Sequence, residues 1–312
     1  MKKKYISSLL AVIIIAACGT KEPAVVEPAV ADAPQVIPEE RIKPLIDMVT
    51  VPSGAFPMGS PKGTSNSLDI ERPVHQVEVK EFLLGKYEVT QGQYFEVTGT
   101  RPGNFLTNAE NDSPDGWMLL PIEMVNWYEA LIFCNRLSIK EKLNPVYRIS
   151  GSVNPDDWGD APLNKNAVWD AVDMTAGANG YRLPTEAEWE FAARGGDSAP
   201  KTTVYSGSNS ADSVSWYYDN SKFKIHEIGK KAPNQLDLYD MSGNAMEWCW
   251  DWLGNYTADT QSSPTGPLAG QFRIIRGGGW SVSVHYSRIA YRHYNNPYYR
   301  GVNLGFRVAR SL

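Results

Sequence analysis

Thiols, imidazoles and paired carboxylates carry most enzymatic chemistry, and this chain has few of them in reactive patterns. It has three cysteines and four histidines in 312 residues. Cys134 falls on an apolar helical stripe and Cys249 sits between Trp248 and Trp250, so both read as buried thiols, with a disulfide between them as the open alternative. His75, His226, His285 and His293 include no i, i+4 pair that could offer two imidazoles to one metal. Each reads as a surface or strand residue. Gly277-Gly278-Gly279 is not followed by Lys-Ser/Thr, which sets aside a phosphate loop. Charged residues are 21% and the net charge is −5, so no basic footprint for nucleic acid is present.

A different chemistry, that of contact, is concentrated near the C-terminus. Ser281 to Asn303 reads SVSVHYSRIAYRHYNNPYYRGVN, in which 13 of 23 residues are Tyr, Ser, Asn or His. The stretch has no Lys, Asp, Glu, Gln, Thr, Leu, Met or Phe. A buried core would use Leu and Phe, and an inert solvated face would use Lys and Glu. Tyr among Ser, Asn and Gly is instead the composition of antibody-like paratopes, where rigid amphipathic rings give area and small polar groups adapt their hydrogen bonds.

The elements that must hold this stretch are short. Ten Trp, sixteen Tyr, 26 Gly and 21 Pro suit a loop-rich domain with much aromatic surface. Thr90 is an N-cap for a short helix ending near Gly99, and Asn126 caps another. Behind Asn126, Ala130, Leu131, Phe133, Cys134, Leu137 and Ile139 form its apolar stripe. Thr185 with Glu188 is a capping box behind Pro184, opening a helix that stops at Gly195-Gly196. Glu186, Glu188 and Glu190 ride on that helix and need no catalytic role. Met48–Pro52, Phe56–Gly59 and a pair spanning His75 to Val89 read as strands. The class is α+β, with two main helices, many short strands and long loops. Ahead of it, Lys2, Lys3 and Lys4 precede an apolar run that ends in Ile15-Ala16-Ala17-Cys18. This resembles a bacterial lipobox: a signal peptide over 1–17, lipidation at Cys18, and a Pro/Ala-rich tether over 18–43 leading to a domain over 44–312. Gly19 after the cysteine points to the outer membrane, with the domain displayed at the surface.

An ordered series of motifs resembles one family. They are MVTVPSGAFPMGS from Met48, YEVTQ from Tyr87, PIEMVNW from Pro121, YRLPTEAEWEFAARG from Tyr181, LYDMSGNAMEW from Leu238, RGGGW from Arg276 and LGFRVA from Leu304. Together they are similar to the formylglycine-generating-enzyme (sulfatase-modifying factor) domain, a variant of the C-type lectin fold. The oxidases of that family carry a cysteine pair where this chain has Val282 and Ser287, so the resemblance implies the scaffold without the oxidase chemistry. It also implies a calcium loop, with Asp240 and Glu247 giving carboxylates and Gly243 and Ala245 giving carbonyls.

The C-terminal stretch further resembles the variable region of diversity-generating-retroelement proteins of the Treponema variable type. That resemblance implies variable, ligand-binding positions at Ser281, Val282, Ser283, His285, Tyr286, Ser287, Tyr291, His293, Tyr294, Asn295, Asn296, Tyr298, Tyr299, Gly301, Val302 and Asn303. Between them Arg288, Ile289, Ala290, Arg292, Pro297 and Arg300 would be fixed scaffold. The expected function is a surface lipoprotein that binds a protein or glycan ligand, of host origin among the candidates. An envelope or secretion-machinery lipoprotein with a fixed partner is the alternative, and a formylglycine-generating oxidase is the third reading.

Overall fold

Capping boxes open the three longest helices in the computed structural model, which describes residues 44–103, 116–198 and 202–312. Cys18, the signal peptide and the tether lie outside the described residues. In α1 (Gln91–Thr98), the Thr90 hydroxyl accepts from the Gln93 amide at 3.2 Å and the Gln93 side chain accepts from the Thr90 amide at 2.9 Å. Asn126 and Glu129 make the same exchange at α2 (Trp127–Lys140). After a single turn, α3 (Ala167–Asp170), Thr185 and Glu188 repeat it at α4 (Glu186–Ala193). One further turn, α5 (Ala211–Val214), follows. Reciprocal bonds of this kind satisfy backbone donors that a helix start leaves open. Gly99 and Gly195 end α1 and α4 at φ 71° and 82°, a left-handed geometry that glycine adopts without a Cβ penalty.

The α2 stripe buries Ala130, Leu131, Phe133, Cys134 and Leu137. Ile139 does not belong to it and is 46% exposed. At 3.6 residues per turn it falls about half a turn from the centre of the stripe.

Among the described residues the strands form four sheets. One has the order β1 (Met48–Val51), β4 (Phe82–Gly85), β13 (Ala309–Ser311), β7 (Tyr181–Arg182), so the two ends of the domain flank one strand. A second has the order β2 (Gly54–Met58), β3 (His75–Val79), β9 (Gln261–Ser262), and β5 (Tyr147–Arg148) pairs with β6 (Asp173–Met174). The fourth has the order β11 (His293–Asn295), β10 (Arg273–Arg276), β8 (Met246–Trp252), β12 (Leu304–Gly305). Both strands expected between His75 and Val89 form, as β3 and β4, but they do not pair with each other. Only Lys80 and Glu81 separate β3 from β4, and neither favours the positive φ of a two-residue hairpin. The chain turns instead from one sheet into another.

Buried charge ties α4 to these sheets. Arg276 on β10 donates to Glu186 at 3.1 Å and to Glu190 at 2.5 Å. Arg292 reaches the same Glu186 with two bonds of 2.7 Å, while Arg194 holds Glu190 from the helix end. Glu186 is thus one carboxylate serving two buried guanidinium groups. Removing one partner of such a cluster leaves uncompensated charge in the interior, at a cost of about 3–5 kcal/mol. Glu186→Ala should therefore lower unfolding stability by that amount in urea titration. A loss below about 1 kcal/mol, the scale of a surface ion pair, would show that the cluster does not hold the helix.

Candidate ligand-binding face

The β11-β10-β8-β12 sheet and the chain around it build one concavity from the Tyr-rich stretch. A cavity of about 300 Å³ is lined by Met246, Ile275, Val282, Tyr286, Tyr291, His293, Asn295, Tyr299, Asn303 and Leu304. Seven of these ten fall within Ser281 to Asn303. The sheet register explains the convergence: Leu304 pairs with Met246 across β12 and β8, and Ile275 pairs with His293 across β10 and β11. The ends of the stretch are also tied, since Asn303 donates to the Ser281 hydroxyl at 2.7 Å. Burial holds the His293 imidazole below its ordinary value, so it is neutral at pH 7.

The predicted positions divide by depth. Tyr294 and Tyr299 are 37% and 44% exposed, and His285, Tyr286 and Val302 are also exposed. Ser281, Val282, Ser283, His293, Asn295, Asn296, Tyr298 and Asn303 are half-buried. Ser287, Tyr291 and Gly301 are buried. Tyr291 still borders the cavity, edge-on to Tyr286 at 4.9 Å. Ser287 is 0% exposed and does not present a side chain to the surface. It rests on Gly278, which has φ 69° and whose added Cβ would come within 2.7 Å of Ser287 Cα.

Between the tyrosines, the arginines point the other way. Arg288 is held by Glu71 at 2.6 and 2.9 Å, Arg292 by Glu186, and Arg300 by Glu129 at 2.6 and 2.9 Å. Just beyond the stretch, Arg307 makes two 2.7 Å bonds to Glu247. Such paired, charge-assisted bonds fix geometry as well as energy.

One neighbouring feature escaped the composition-based reading. Tyr218 donates its amide to the Val282 carbonyl at 3.0 Å, and the Ser221 hydroxyl donates to the Trp280 carbonyl at 2.9 Å. These bonds place an exposed edge-to-face pair, Tyr218 and Phe223 at 5.0 Å, beside the stretch. Phe223 is 64% exposed and, like Lys222, has a positive φ. The sequence signal was a short aromatic and basic cluster sixty residues upstream, with nothing local to connect it to the face.

The expected calcium ligands lie together in a buried acidic cluster. Asp240, at φ 56°, accepts from the Gly229 amide at 2.7 Å through Oδ2, while its buried Oδ1 has no partner. Burial pushes its carboxyl up to about 6, with Glu247 adding repulsion. Glu88 joins them, accepting from the Ala245 amide and the Asn244 side chain. Burial, then Asp240 and Glu247, raise its carboxyl well above the usual range. The orphaned oxygen is the one feature here that suits a hard cation; among the described residues, no three His, Cys, Asp or Glu side chains are grouped to hold a metal ion. Glu247 fits less well, because the Arg307 guanidinium already takes both its oxygens and Trp189 Nε1 donates to one of them at 2.8 Å. Both Glu247 oxygens, expected to serve calcium, are therefore hydrogen-bonded within the protein.

Cys134 and Cys249 are both free and buried, so the disulfide alternative does not hold. Burial raises both thiols far above their usual range, which leaves neither as a reactive thiolate.

Comparison with known proteins adds a family and a likeness. The family model for the sulfatase-modifying factor enzyme 1-like domain matches residues 33–312. Chaperone protein LppX of Paenibacillus barcinonensis is 38% identical over 283 residues, covering 85% of this chain and 89% of the relative. The formylglycine-generating enzyme of Thermomonospora curvata is 29% identical over 321 residues, covering 89% and 97%. Among solved structures, Treponema denticola variable protein 1 superposes with a TM-score of 0.75 at 36% identity, covering 84% of this chain and 94% of that one.

The acidic cluster sets a pH dependence whose sign follows from its raised carboxyls. A folded-state value above the unfolded one stabilises fully below the unfolded value and loses that contribution as pH rises through the folded one. For Asp240 the window runs from 3.8 to about 6. In the presence of chelator, the melting temperature should therefore be lower at pH 7.5 than at pH 5. Asp240→Asn, which keeps an acceptor for Gly229 and tolerates positive φ, should narrow that gap. An unchanged gap in the variant would place the pH dependence elsewhere.

Proposed function

We propose, for a chain that belongs to the sulfatase-modifying factor enzyme 1-like family, that it is a lipid-anchored receptor rather than an enzyme, with its C-terminal face as the ligand-binding surface. The observation that carries this reading is the division of labour within Ser281 to Asn303. Each arginine is taken by a carboxylate on another element, while Tyr286 and Tyr299 are left at the surface on the cavity and Tyr294 is exposed against Phe272. The likeness to Treponema denticola variable protein 1 supports a diversified face. The ligand is a protein or a glycan.

Against oxidase chemistry stand the side chains at the positions that would need thiols. Val282 and Ser287 cannot form a mixed disulfide with a substrate cysteine or bind copper through sulfur. For anchoring, Cys18 carries the lipid, the tether holds the domain off the membrane, and the outer membrane is the site of display. Calcium is held by Asp240 with the main-chain carbonyls of Gly243 and Ala245, and it neutralises the excess charge of Glu88 and Asp240. Glu247, committed to Arg307, supplies charge to the same cluster. A fixed-partner envelope role is the second reading, favoured by the relative named as a chaperone protein.

The receptor reading makes an asymmetric prediction. Replacing Tyr294 and Tyr299 by Ala should shift stability by only about 0.5 kcal/mol each, with more lost at Tyr298, which is half-buried against the core, while each interface tyrosine lost should cost about 2 kcal/mol of binding on host-protein or glycan arrays. Trp280→Ala and Phe306→Ala should do the reverse, since both side chains are buried and truncation there costs about 3–5 kcal/mol. Tyrosine variants that unfold, with binding per folded molecule unchanged, would make the stretch structural.

Anchoring is tested separately. Cys18→Ser should move the full-length protein from the detergent phase to the aqueous phase and remove the lipid mass from its N-terminus. Unchanged partitioning and mass would rule out the anchor.

A further inference from the structure

The cavity on this face has two kinds of wall. Its floor is Met246, Ile275 and Leu304, one apolar side chain from each of β8, β10 and β12. All three lie outside Ser281 to Asn303. The rim is tyrosine, histidine and asparagine from within that stretch, closed on one side by Val282. Among the described residues, no Asp, Glu, Lys or Arg lines it, and His293 adds no charge at neutral pH because burial lowers its value.

From this geometry, and resting on the receptor reading above, we infer that the cavity receives one uncharged apolar side chain, of the size of Leu, Met or Phe, projecting from a protein ligand. The scaffold floor sets the class of the ligand, and the rim sets which ligand of that class is bound.

Three considerations favour this occupant over a sugar or an ion. An ion would enter a site with no opposite charge to replace its hydration. On the floor, sugar hydroxyls pressed on Met, Ile and Leu would lose water without gaining hydrogen-bond partners there, whereas an apolar side chain loses none. Two rim amides also have one group each engaged within the protein: Asn303 Nδ2 donates to Ser281, and Asn295 Oδ1 accepts from the Asn296 amide. The volume, about 300 Å³, lies at the lower limit of small-ligand sites and suits a single anchoring side chain in a desolvated pocket.

The test uses the folded full-length protein, with methyl groups of Met246, Ile275 and Leu304 observed by NMR. N-acetyl-leucinamide and N-acetyl-phenylalaninamide should shift these methyls saturably in the millimolar range, and the methyl glycosides of glucose, galactose and N-acetylglucosamine should not. Val282→Trp, which fills the cavity from its half-buried edge, should abolish the response. Met246→Gln, which places an amide on the floor, should weaken it if the first variant folds poorly. Floor methyls that ignore both amides, or that respond equally to the glycosides, overturn the inference.

A random dodecamer peptide library selected on the wild-type protein separates this inference from the reading beneath it. Enriched peptides should share one large apolar residue, whose replacement by Ala weakens binding roughly thirtyfold or more. Binding that survives Val282→Trp but is lost in the Tyr294, Tyr298 and Tyr299 variants overturns the pocket and leaves the receptor face standing. Binding indifferent to both sets overturns both.

Discussion

Buried guanidinium–carboxylate pairs are the constraint on which the rest of this domain depends. Glu186 holds Arg276 and Arg292, Glu71 holds Arg288, Glu129 holds Arg300, and Glu247 holds Arg307. All but Glu129 and Arg300 are almost wholly removed from water. The partners stand 60 to 217 residues apart, so each pair fastens the C-terminal chain to a remote element. Regular secondary structure could not do this alone, because β11 and β12 have three and two residues. Ion pairs of this kind contribute little beyond what an apolar replacement would give, but they are costly to break on one side. Their value here is positional: they fix the backbone of a segment whose remaining side chains are released from structural duty.

That release leaves exposed side chains free for contact on a family scaffold whose relatives include formylglycine-generating enzymes. At the two positions where the family resemblance leads one to expect thiols stand Val282 and Ser287, and Ser287 is sealed against Gly278. The exposed tyrosines cost little to hold in place, since each ring has few rotamers to lose. The aromatic pair at Tyr218 and Phe223 extends the same surface with residues from a different part of the chain.

Much of this was legible in the sequence wherever the signal was local. Capping boxes at Thr90, Asn126 and Thr185 need only four residues each, and all three helices begin where those residues place them. The composition of Ser281 to Asn303 marked the stretch that lines the cavity. What was not legible depended on distant partners. Nothing near Ser287 shows that Gly278 will lie beneath it, and nothing near Glu247 shows that Arg307 will take both its oxygens. The failed pairing of β3 with β4 and the outward-facing Ile139 were local and readable: a turn without glycine or asparagine, and a residue off the stripe by half a turn.

The central claim is that the arginines carry the structure and the tyrosines carry the face. Two libraries displayed on cells and challenged with protease test it directly. One randomises Tyr286, His293, Tyr294, Asn295, Tyr298 and Tyr299 together; the other randomises Arg288, Arg292, Arg300 and Arg307. Most members of the first library should stay folded and resist cleavage, and most of the second should not. Equal loss of resistance in the two would contradict the account, because the face would then be part of the core that holds the domain together.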